Sequence, residues 1–331
     1  MLTPKVLVGV AAVVAVLNLS PTGVGAQAES PLAVRIAPAG HTFDLRALRE
    51  RDQRVAAVGF RLRAANRDNC PILGPLPGWS LHNAAQYSER VRGQAQADFG
   101  LKGDFPSLLV VVAGSPASSA GLRSDDVLMS VNGKSLGSPD SVEGAASYVS
   151  LERANRLLQR ELYRPSTLQI LRDGQRLQVA ISANLGCLIE SQVDPSSKLK
   201  AEANSQRVFI TTAMIDFAGA DDELAFVLGH EYAHIILGHT PRVPSRRGTR
   251  GSTAVGSTSA ISAESHELAA DQLGLRLVHI AGFDVRAAPS LIARLRSSRP
   301  WLNVWSGGSR LLDRRRAELD RTADELERAA Q

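Results

Sequence analysis

The fold is decided by the stretch Asp221-Asp222-Glu223-Leu224-Ala225-Phe226-Val227-Leu228-Gly229-His230-Glu231-Tyr232-Ala233-His234. It opens with three acidic residues, which stabilise the N-terminus of a helix. Apolar residues then recur at helical spacing as far as Leu237, and Gly238 is a signal for the end of a helix. The stretch therefore predicts a helix with a buried face that carries two histidines four residues apart.

Two histidines at this spacing suit one shared metal ion. At about 3.6 residues per turn, His230 and His234 lie one above the other, so both imidazoles can reach a single zinc ion. Glu231 then lies beside the open position of the metal, where a carboxylate can accept a proton from water. The pattern is typical of a metallopeptidase. The structural alternative is two histidines that each have their own partner in the core or at the surface.

A catalytic zinc ion usually has three protein ligands, so we expect a third one downstream. One known pattern takes a glycine at position 237 and a histidine at position 240. The chain has Gly238 and His239 instead, so both residues miss that register by one.

A glutamate from a second helix fits the third position better. Glu267 and Asp271 are four residues apart, hence on one helical face. Glu267 can bind zinc while Asp271 accepts a hydrogen bond from a ligand histidine, which we expect to be His230. Glu264 is the alternative ligand, and a solvated acidic face is the structural alternative for both glutamates.

Together these segments resemble the gluzincin peptidases of family M48, which include the prenyl-protein (CAAX) protease and HtpX-like membrane proteases. The resemblance implies zinc ligands at His230, His234 and Glu267 and a general base at Glu231. The matching segments are Asp222-Glu223-Leu224-Ala225, His230-Glu231-Tyr232-Ala233-His234, Leu237-Gly238-His239 and Glu267-Leu268-Ala269-Ala270-Asp271-Gln272-Leu273-Gly274, with further similarity at 204–212 and 281–284.

The chain departs from the family near its last helix. Many members carry a His-Pro pair before an arginine there, whereas this chain has Gly308-Ser309-Arg310 ahead of Arg314-Arg315-Arg316. The resemblance therefore does not identify the residue that stabilises the oxyanion. We interpret the arginines at 310–316, like those at 242–250, as a solvated face or loop, with attraction to an anionic membrane surface as a lesser option.

The first 26 residues have the pattern of an export signal. Lys5 precedes an apolar run at 6–17, and Val24-Gly25-Ala26 suits a cleavage site. The run is too short to span a bilayer. We expect a soluble protein in the periplasm or outside the cell, with an uncleaved anchor as the alternative.

The two cysteines, Cys70 and Cys187, flank a long middle segment. In an oxidising compartment they would form a disulfide at the two ends of an inserted domain. Two buried free thiols are the alternative.

The formal net charge of the chain, +5, is modest. The arginines lack the aromatic interleaving of nucleic-acid-binding proteins, so no nucleic-acid partner is expected.

Residues 95–186 have the alternating pattern of a sheet domain, with strands predicted at 107–112, 126–131, 167–172 and 175–181 and turns at Asn132-Gly133 and Asp173-Gly174. The stretch Ala113-Gly114-Ser115-Pro116-Ala117-Ser118-Ser119-Ala120-Gly121-Leu122 and the turn at Asn132-Gly133 resemble a bacterial PDZ domain. The resemblance implies a groove helix at 142–162 and a carboxylate loop, weakly represented by Phe99-Gly100-Leu101. Such domains add an extended peptide to a sheet edge. A structural spacer is the alternative.

The chain divides accordingly into a signal (1–26), the first peptidase helix (27–69), a Pro/Gly-rich linker (70–94), the PDZ domain (95–186) and the zinc peptidase domain (187–331). The expected fold class is α+β, a mainly helical zincin-type peptidase with a small edge-strand sheet and an inserted, β-barrel-like PDZ domain.

The resemblance to the family implies that residues 207–212 form the edge strand beside zinc. Residues 240–262 predict a mobile loop that covers the cleft part of the time, and leucines at 312, 319 and 326 predict a last helix packed on the peptidase.

These features predict an exported zinc endopeptidase with one Zn2+ per chain that hydrolyses unfolded or misassembled envelope proteins. Its partners would be polypeptides, including a peptide ligand of the PDZ domain, with at most peripheral membrane contact. The alternative is a PDZ-based binding or chaperone-like protein whose metal site is latent or structural. The intact Glu231 argues against it, because a structural site needs no base.

Overall fold

A computed structural model describes residues 44–140, 142–204, 206–240, 260–298 and 308–329 of the chain. The fold is α+β. The predicted signal and most of the 240–262 loop lie outside the described residues. In chain order the elements are α1 (Leu45–Ala65), β1 (Leu73–Leu76), β2 (Trp79–His82), α2 (Glu89–Phe99), β3 (Ser107–Val111), α3 (Pro116–Ser119), β4 (Val127–Val131), β5 (Lys134–Ser135), α4 (Val149–Glu161), β6 (Ser166–Arg172), β7 (Gln175–Ile181), β8 (Asn184–Cys187), β9 (Glu190–Asp194), β10 (Ala201–Ala203), β11 (Arg207–Thr211), α5 (Thr212–Phe217), α6 (Asp221–Ile236), α7 (Ala260–Ile280), α8 (Ala287–Ser297) and α9 (Gly308–Ala329).

The larger core is built around α6, which is buried along every residue from Glu223 to Ala233. Helix α7 packs directly against it, and two glycines set the distance between the two backbones. A Cβ atom on Gly274 would lie 2.8 Å from the backbone nitrogen of His230, and one on Gly229 would lie 3.0 Å from the Gly274 carbonyl oxygen. Larger residues would push the helices apart, so these glycines hold the two predicted metal-binding segments together.

The small sheet of the larger core corrects one prediction. Strand β11 was expected at the edge beside the metal, but it lies in the middle of the order β10-β11-β9. It pairs parallel with β9 and antiparallel with β10. Val208 and Ile210 share one face of the strand and are fully buried, whereas Arg207 and Phe209 on the other face are only partly buried. The β-branched run was therefore a sign of one buried face, which does not distinguish a central strand from an edge strand, and the edge on the side of α6 belongs to β10.

The insert contains a six-stranded sheet in the order β2-β3-β4-β6-β7, with β5 paired to β4. The four strands predicted here are present as β3, β4, β6 and β7. Both predicted turns are confirmed, because Asn132 and Asp173 have positive φ values of 48° and 50° and each is followed by a glycine with positive φ. Inside this sheet, Arg172 forms a close ion pair with the buried Asp126, at 2.6 Å.

The predicted linker at 70–94 is wrong in its interior. It contains β1 and β2 and the start of α2. Strand β1 includes Pro75 yet pairs with β8, which is possible because β1 is paired on one side only and a proline loses no ladder bond on its free side. Strand β2 is the edge of the insert's sheet. The prolines and glycines of this stretch are therefore compatible with strands at the edge of a sheet and do not prevent strand pairing.

Two details of the predicted PDZ groove also need correction. The helix expected at 142–162 begins only at Val149. The expected carboxylate loop is not an open loop at a sheet edge, because Phe99 and Leu101 are buried in a small apolar cluster and Gly100 ends α2 in the left-handed conformation. Phe99 and Leu101 are thus core residues of the segment between β2 and β3.

The two junctions of the insert are joined covalently. Cys70 and Cys187 form a disulfide with their Cα atoms 5.5 Å apart, as the first of the two sequence alternatives predicts. Beside it, β1 pairs with β8 from Leu73 opposite Cys187 to Leu76 opposite Asn184. Arg63 of α1 donates a hydrogen bond to the Cys187 carbonyl oxygen at 2.9 Å. The entry and exit of the insert are therefore anchored together on α1.

The last helix packs as the leucine spacing predicts. In α9, Leu319 is buried and Leu312 and Leu326 pack against the larger core. Helix α1 lies within the range predicted for the first peptidase helix, 27–69, and Asp44 caps its N-terminus by accepting a hydrogen bond from the Ala47 amide at 2.9 Å. Within the described parts of the chain, none of the helices combines the length and apolar character needed to cross a bilayer.

Candidate metal centre

Two helices, α6 and α7, carry the side chains predicted for the site. Helix α6 carries His230, Glu231 and His234, with the first two buried and His234 partly exposed. Helix α7 faces it with Glu267 and Asp271. The packing of α7 on α6 therefore places the predicted third ligand opposite the two histidines.

Three side chains converge on one point. His230 Nε2 lies 3.1 Å from His234 Nε2 and 3.4 Å from Glu267 Oε2, and His234 Nε2 lies 3.5 Å from Glu267 Oε1. A tetrahedral ion bound at about 2.0–2.1 Å separates its ligand atoms by about 3.3–3.4 Å. The spacing of the three side chains therefore fits a tetrahedral metal ion with three protein ligands, and the donor set of two imidazoles and one carboxylate suits zinc.

The other nitrogen of His230 is fixed by Asp271, as the sequence predicts. Asp271 Oδ1 lies 2.9 Å from His230 Nδ1, and both side chains are buried. A proton on Nδ1 leaves the lone pair of Nε2 directed at the metal position. Burial lowers the pKa of His230, but the hydrogen bonds to Asp271 and Glu267 outweigh it and raise the pKa to about 9 in the metal-free protein.

Arg315 of α9 is the main residue that sequence reasoning missed. It was interpreted as part of a solvated arginine cluster, but its side chain is fully buried. Its guanidinium donates to both oxygens of Asp271 at 2.6 Å and lies 3.1 Å from Glu267 Oε2. Burial alone would raise the pKa of Asp271, and the charges of Arg315 and His230 lower it instead. The resemblance to a family with an arginine in its last helix was the one sequence signal for this residue.

The second histidine of the candidate site, His234, has a different partner. His234 Nδ1 lies 3.1 Å from His239 Nδ1, and the His239 ring is stacked on His266 with 4.1 Å between centroids and 15° between planes. Neither His239 nor His266 was predicted to belong to the site. In the sequence, His239 stands one residue before the position that a histidine ligand of the other known pattern would take.

Glu231 is held where a base could work. Its side chain is buried, and burial raises its pKa, an effect that the nearby His230 and His234 oppose. Strand β10 packs against α6, and the charge of its residue Glu202 also raises the pKa of Glu231. Glu264, the alternative ligand, lies outside the converging group and pairs with Arg314 at the protein surface.

Comparison with known families supports the first resemblance. Residues 190–266 match Peptidase family M48. This part of the chain is therefore similar to the peptidase domain of that family. The match ends one residue before Glu267, so the third position of the site rests on the packing of α7 against α6. Residues 109–160 match a PDZ domain, which confirms the second resemblance.

Two solved structures of proteins related to HtrA are each similar to about a third of the chain. The HtrA3 PDZ domain bound to a phage-derived ligand is 16% identical over 34% of this chain and 89% of its own, with a TM-score of 0.25. The HtrA-type protease AlgW with a decapeptide is 15% identical over 34% of this chain and 30% of its own, with a TM-score of 0.24. A comparison with curated proteins found no match.

Proposed function

We propose that this M48 domain is a zinc-dependent endopeptidase. The observation that carries the proposal is the convergence of His230, His234 and Glu267 at tetrahedral spacing, with Glu231 buried beside them. When bound, zinc would supply Lewis-acid activation of water and of the scissile carbonyl. Glu231 accepts the proton of the attacking water and delivers it to the leaving amine.

The remaining residues hold this arrangement. Asp271 fixes the orientation of His230, and Arg315 neutralises the buried carboxylates. Because Arg315 is fully buried and occupied by Asp271, it supports the ligands and does not reach a substrate.

The substrate path that the fold supports runs along β10. This strand is an edge of the described sheet, and it packs against α6, the helix that carries Glu231. An extended chain can add to such an edge through backbone hydrogen bonds, which suits unfolded polypeptides of varied sequence. We therefore replace the expected path along 207–212 by one along β10.

The decisive experiment compares the mature wild-type protein with Glu231→Gln and His234→Ala. The wild type should contain about one zinc per chain and cleave casein. Glu231→Gln should keep the metal and lose activity by about 100-fold or more, since general acid–base catalysis contributes about 10²–10⁴-fold. His234→Ala should lose both. Cleavage by Glu231→Gln at the wild-type rate would overturn the assignment of the base, and a metal-free wild type would overturn the zinc site.

The PDZ domain suggests how polypeptides are recruited. A cleft of about 390 Å³ lies between α4 and the β1–β8 junction. Apolar side chains line one part of it, and Arg153, Arg156 and Arg160 line another. In the described part of the chain, Arg153 and Arg160 form no ion pair with a carboxylate. We propose that this cleft binds acidic segments of polypeptides, including a terminal carboxylate.

Binding of labelled decapeptides to full-length Glu231→Gln protein tests this recruitment. A peptide with an acidic C-terminal half should bind about tenfold more tightly than the same peptide with lysines, because complementary charge adds affinity and specificity. The double change Arg153→Ala with Arg160→Ala should remove the preference, whereas Arg176→Ala on β7 should keep it. An unchanged preference in the double variant would favour a structural role for the insert.

Export to an oxidising compartment is a separate proposal. It rests on the pattern at 1–26, and the disulfide between Cys70 and Cys187 supports it. N-terminal sequencing of the protein from the cell envelope should begin at Gln27. An unprocessed N-terminus in the cytoplasm would overturn the proposal and would weaken the case for envelope substrates.

A further inference from the structure

The side chain of His239 contacts a proposed zinc ligand from outside the ligand set. We propose that His239 is a positioning residue, which accepts a hydrogen bond from His234 Nδ1 and so directs His234 Nε2 at the metal. This inference rests on the proposed zinc site.

The end of α6 explains why these two residues meet. Gly238 has a positive φ of 71°, its N–H donates to the Ile235 carbonyl oxygen, and the His239 N–H donates to the His234 carbonyl oxygen at 2.9 Å. This is the Schellman arrangement, in which the second residue beyond the helix cap folds back onto the third residue from its end. Those two positions usually share an apolar contact, and here both are histidines.

The hydrogen bond has one direction if His234 binds metal. His234 Nε2 faces His230 and Glu267, so its proton resides on Nδ1 and is donated across the 3.1 Å to His239 Nδ1. His239 must then accept, which requires the tautomer with its proton on Nε2. A ligand histidine commonly donates its second N–H to such a partner, which fixes the ring and makes the ligand more basic.

A second ring fixes the plane of the acceptor. His266 lies one residue before Glu267 on α7 and stacks on His239 at 4.1 Å. The stack connects the end of α6 to the helix that carries the third ligand. His239 is therefore held both by the backbone of the helix cap and by a neighbouring ring.

Two substitutions separate the hydrogen bond from the packing. His239→Phe keeps a ring that can stack on His266 but cannot accept a hydrogen bond. His239→Asn loses the ring but offers an amide oxygen near the position of Nδ1. His279→Ala, on the far part of α7, is the control.

The measurement is the zinc dissociation constant of each full-length protein, obtained by competition with a chelator. His239→Phe should bind zinc about 10–100-fold more weakly than the wild type, His239→Asn should recover most of that loss, and the control should match the wild type. Wild-type affinity in His239→Phe, or a loss in His239→Asn as large as that in His239→Phe, would overturn the proposal. If the wild type binds no zinc at all, the proposed function fails first, so the two failures are distinguishable.

Discussion

The two histidines proposed as metal ligands are held by opposite means. His230 is buried and its outer nitrogen faces Asp271, which is itself clamped by the buried Arg315. His234 is partly exposed and its outer nitrogen faces the neutral ring of His239 at the open end of α6. The histidine that is buried away from water thus has charged partners, and the histidine that is partly exposed to water has a neutral partner.

The difference follows from the cost of burying charge. A carboxylate away from water is tolerated when a cation and hydrogen bonds surround it, and Arg315 supplies both to Asp271. At the exposed end a carboxylate would be screened by water and would hold a histidine ring less firmly. The buried side should therefore govern stability and metal affinity, and the exposed side should govern metal affinity alone.

The largest effect should come from Arg315→Met, which leaves Asp271 and Glu267 buried without their cation. Removing one partner of a buried ion pair costs about 3–5 kcal/mol, and the free energy of unfolding in urea should fall by that amount. The neighbouring Arg314→Met is the control, because Arg314 is 59% exposed and its ion pair lies at the surface. Equal urea midpoints for the two variants would contradict the role given to Arg315.

The next effect concerns Asp271→Asn. The amide cannot hold the proton of His230 Nδ1 as a carboxylate does, so zinc affinity should fall about 10–100-fold. The loss should exceed that of His239→Phe if the charged partner contributes more than the neutral one. Asp320→Asn on the surface of α9 serves as the control, and chelator competition is the measurement. A smaller loss than in His239→Phe would reverse the comparison.

A third effect depends on pH. In the metal-free protein the pKa of His230 is about 9, after its hydrogen bonds outweigh burial. Below that pH zinc must displace a proton, so its affinity should fall by about tenfold for each pH unit from 9 to 7. Asp271→Asn removes one bond that raises this pKa and should flatten the dependence. A zinc affinity that is the same at pH 7 and pH 9 in the wild type would contradict this prediction.

The smallest effect should come from Glu264→Gln. Glu264 pairs with Arg314 at the surface and lies outside the converging group, so zinc affinity should stay within about twofold and stability within about 1 kcal/mol. Glu267→Gln provides the contrast, because it replaces a ligand and should lose most of the bound metal. If Glu264→Gln lost the metal instead, the third ligand would have to be reassigned.

Most of the site could be predicted because it lies on regular helices. The spacing of His230 and His234, and of Glu267 and Asp271, fixes which side chains share a face. The contact of His239 with His234 also has a local cause, which is the helix cap formed around Gly238. A histidine directly after the capping glycine was the available signal.

Other features had no local cause. A β-branched run looks alike in a central and an edge strand, so the sequence could not place β11 between β9 and β10. A stretch rich in proline and glycine can form a strand when it pairs on one side only, as β1 does although it contains Pro75. Arg315 stands between Arg314 and Arg316 in the sequence, and nothing local indicates which of the three side chains is buried in the core.

The sequence by itself determined the local chemistry of this protein: the helix that carries the two histidines, the acidic pair one turn apart, the turns of the insert and the cysteines at its two junctions. These follow from periodicity and backbone preference, which act over a few residues. Only the tertiary structure decided which strand offers an edge to the site, and that Arg315 supplies the buried countercharge for Asp271. Those outcomes depend on residues far apart in the chain, where the burial of one charge requires that another be brought to it.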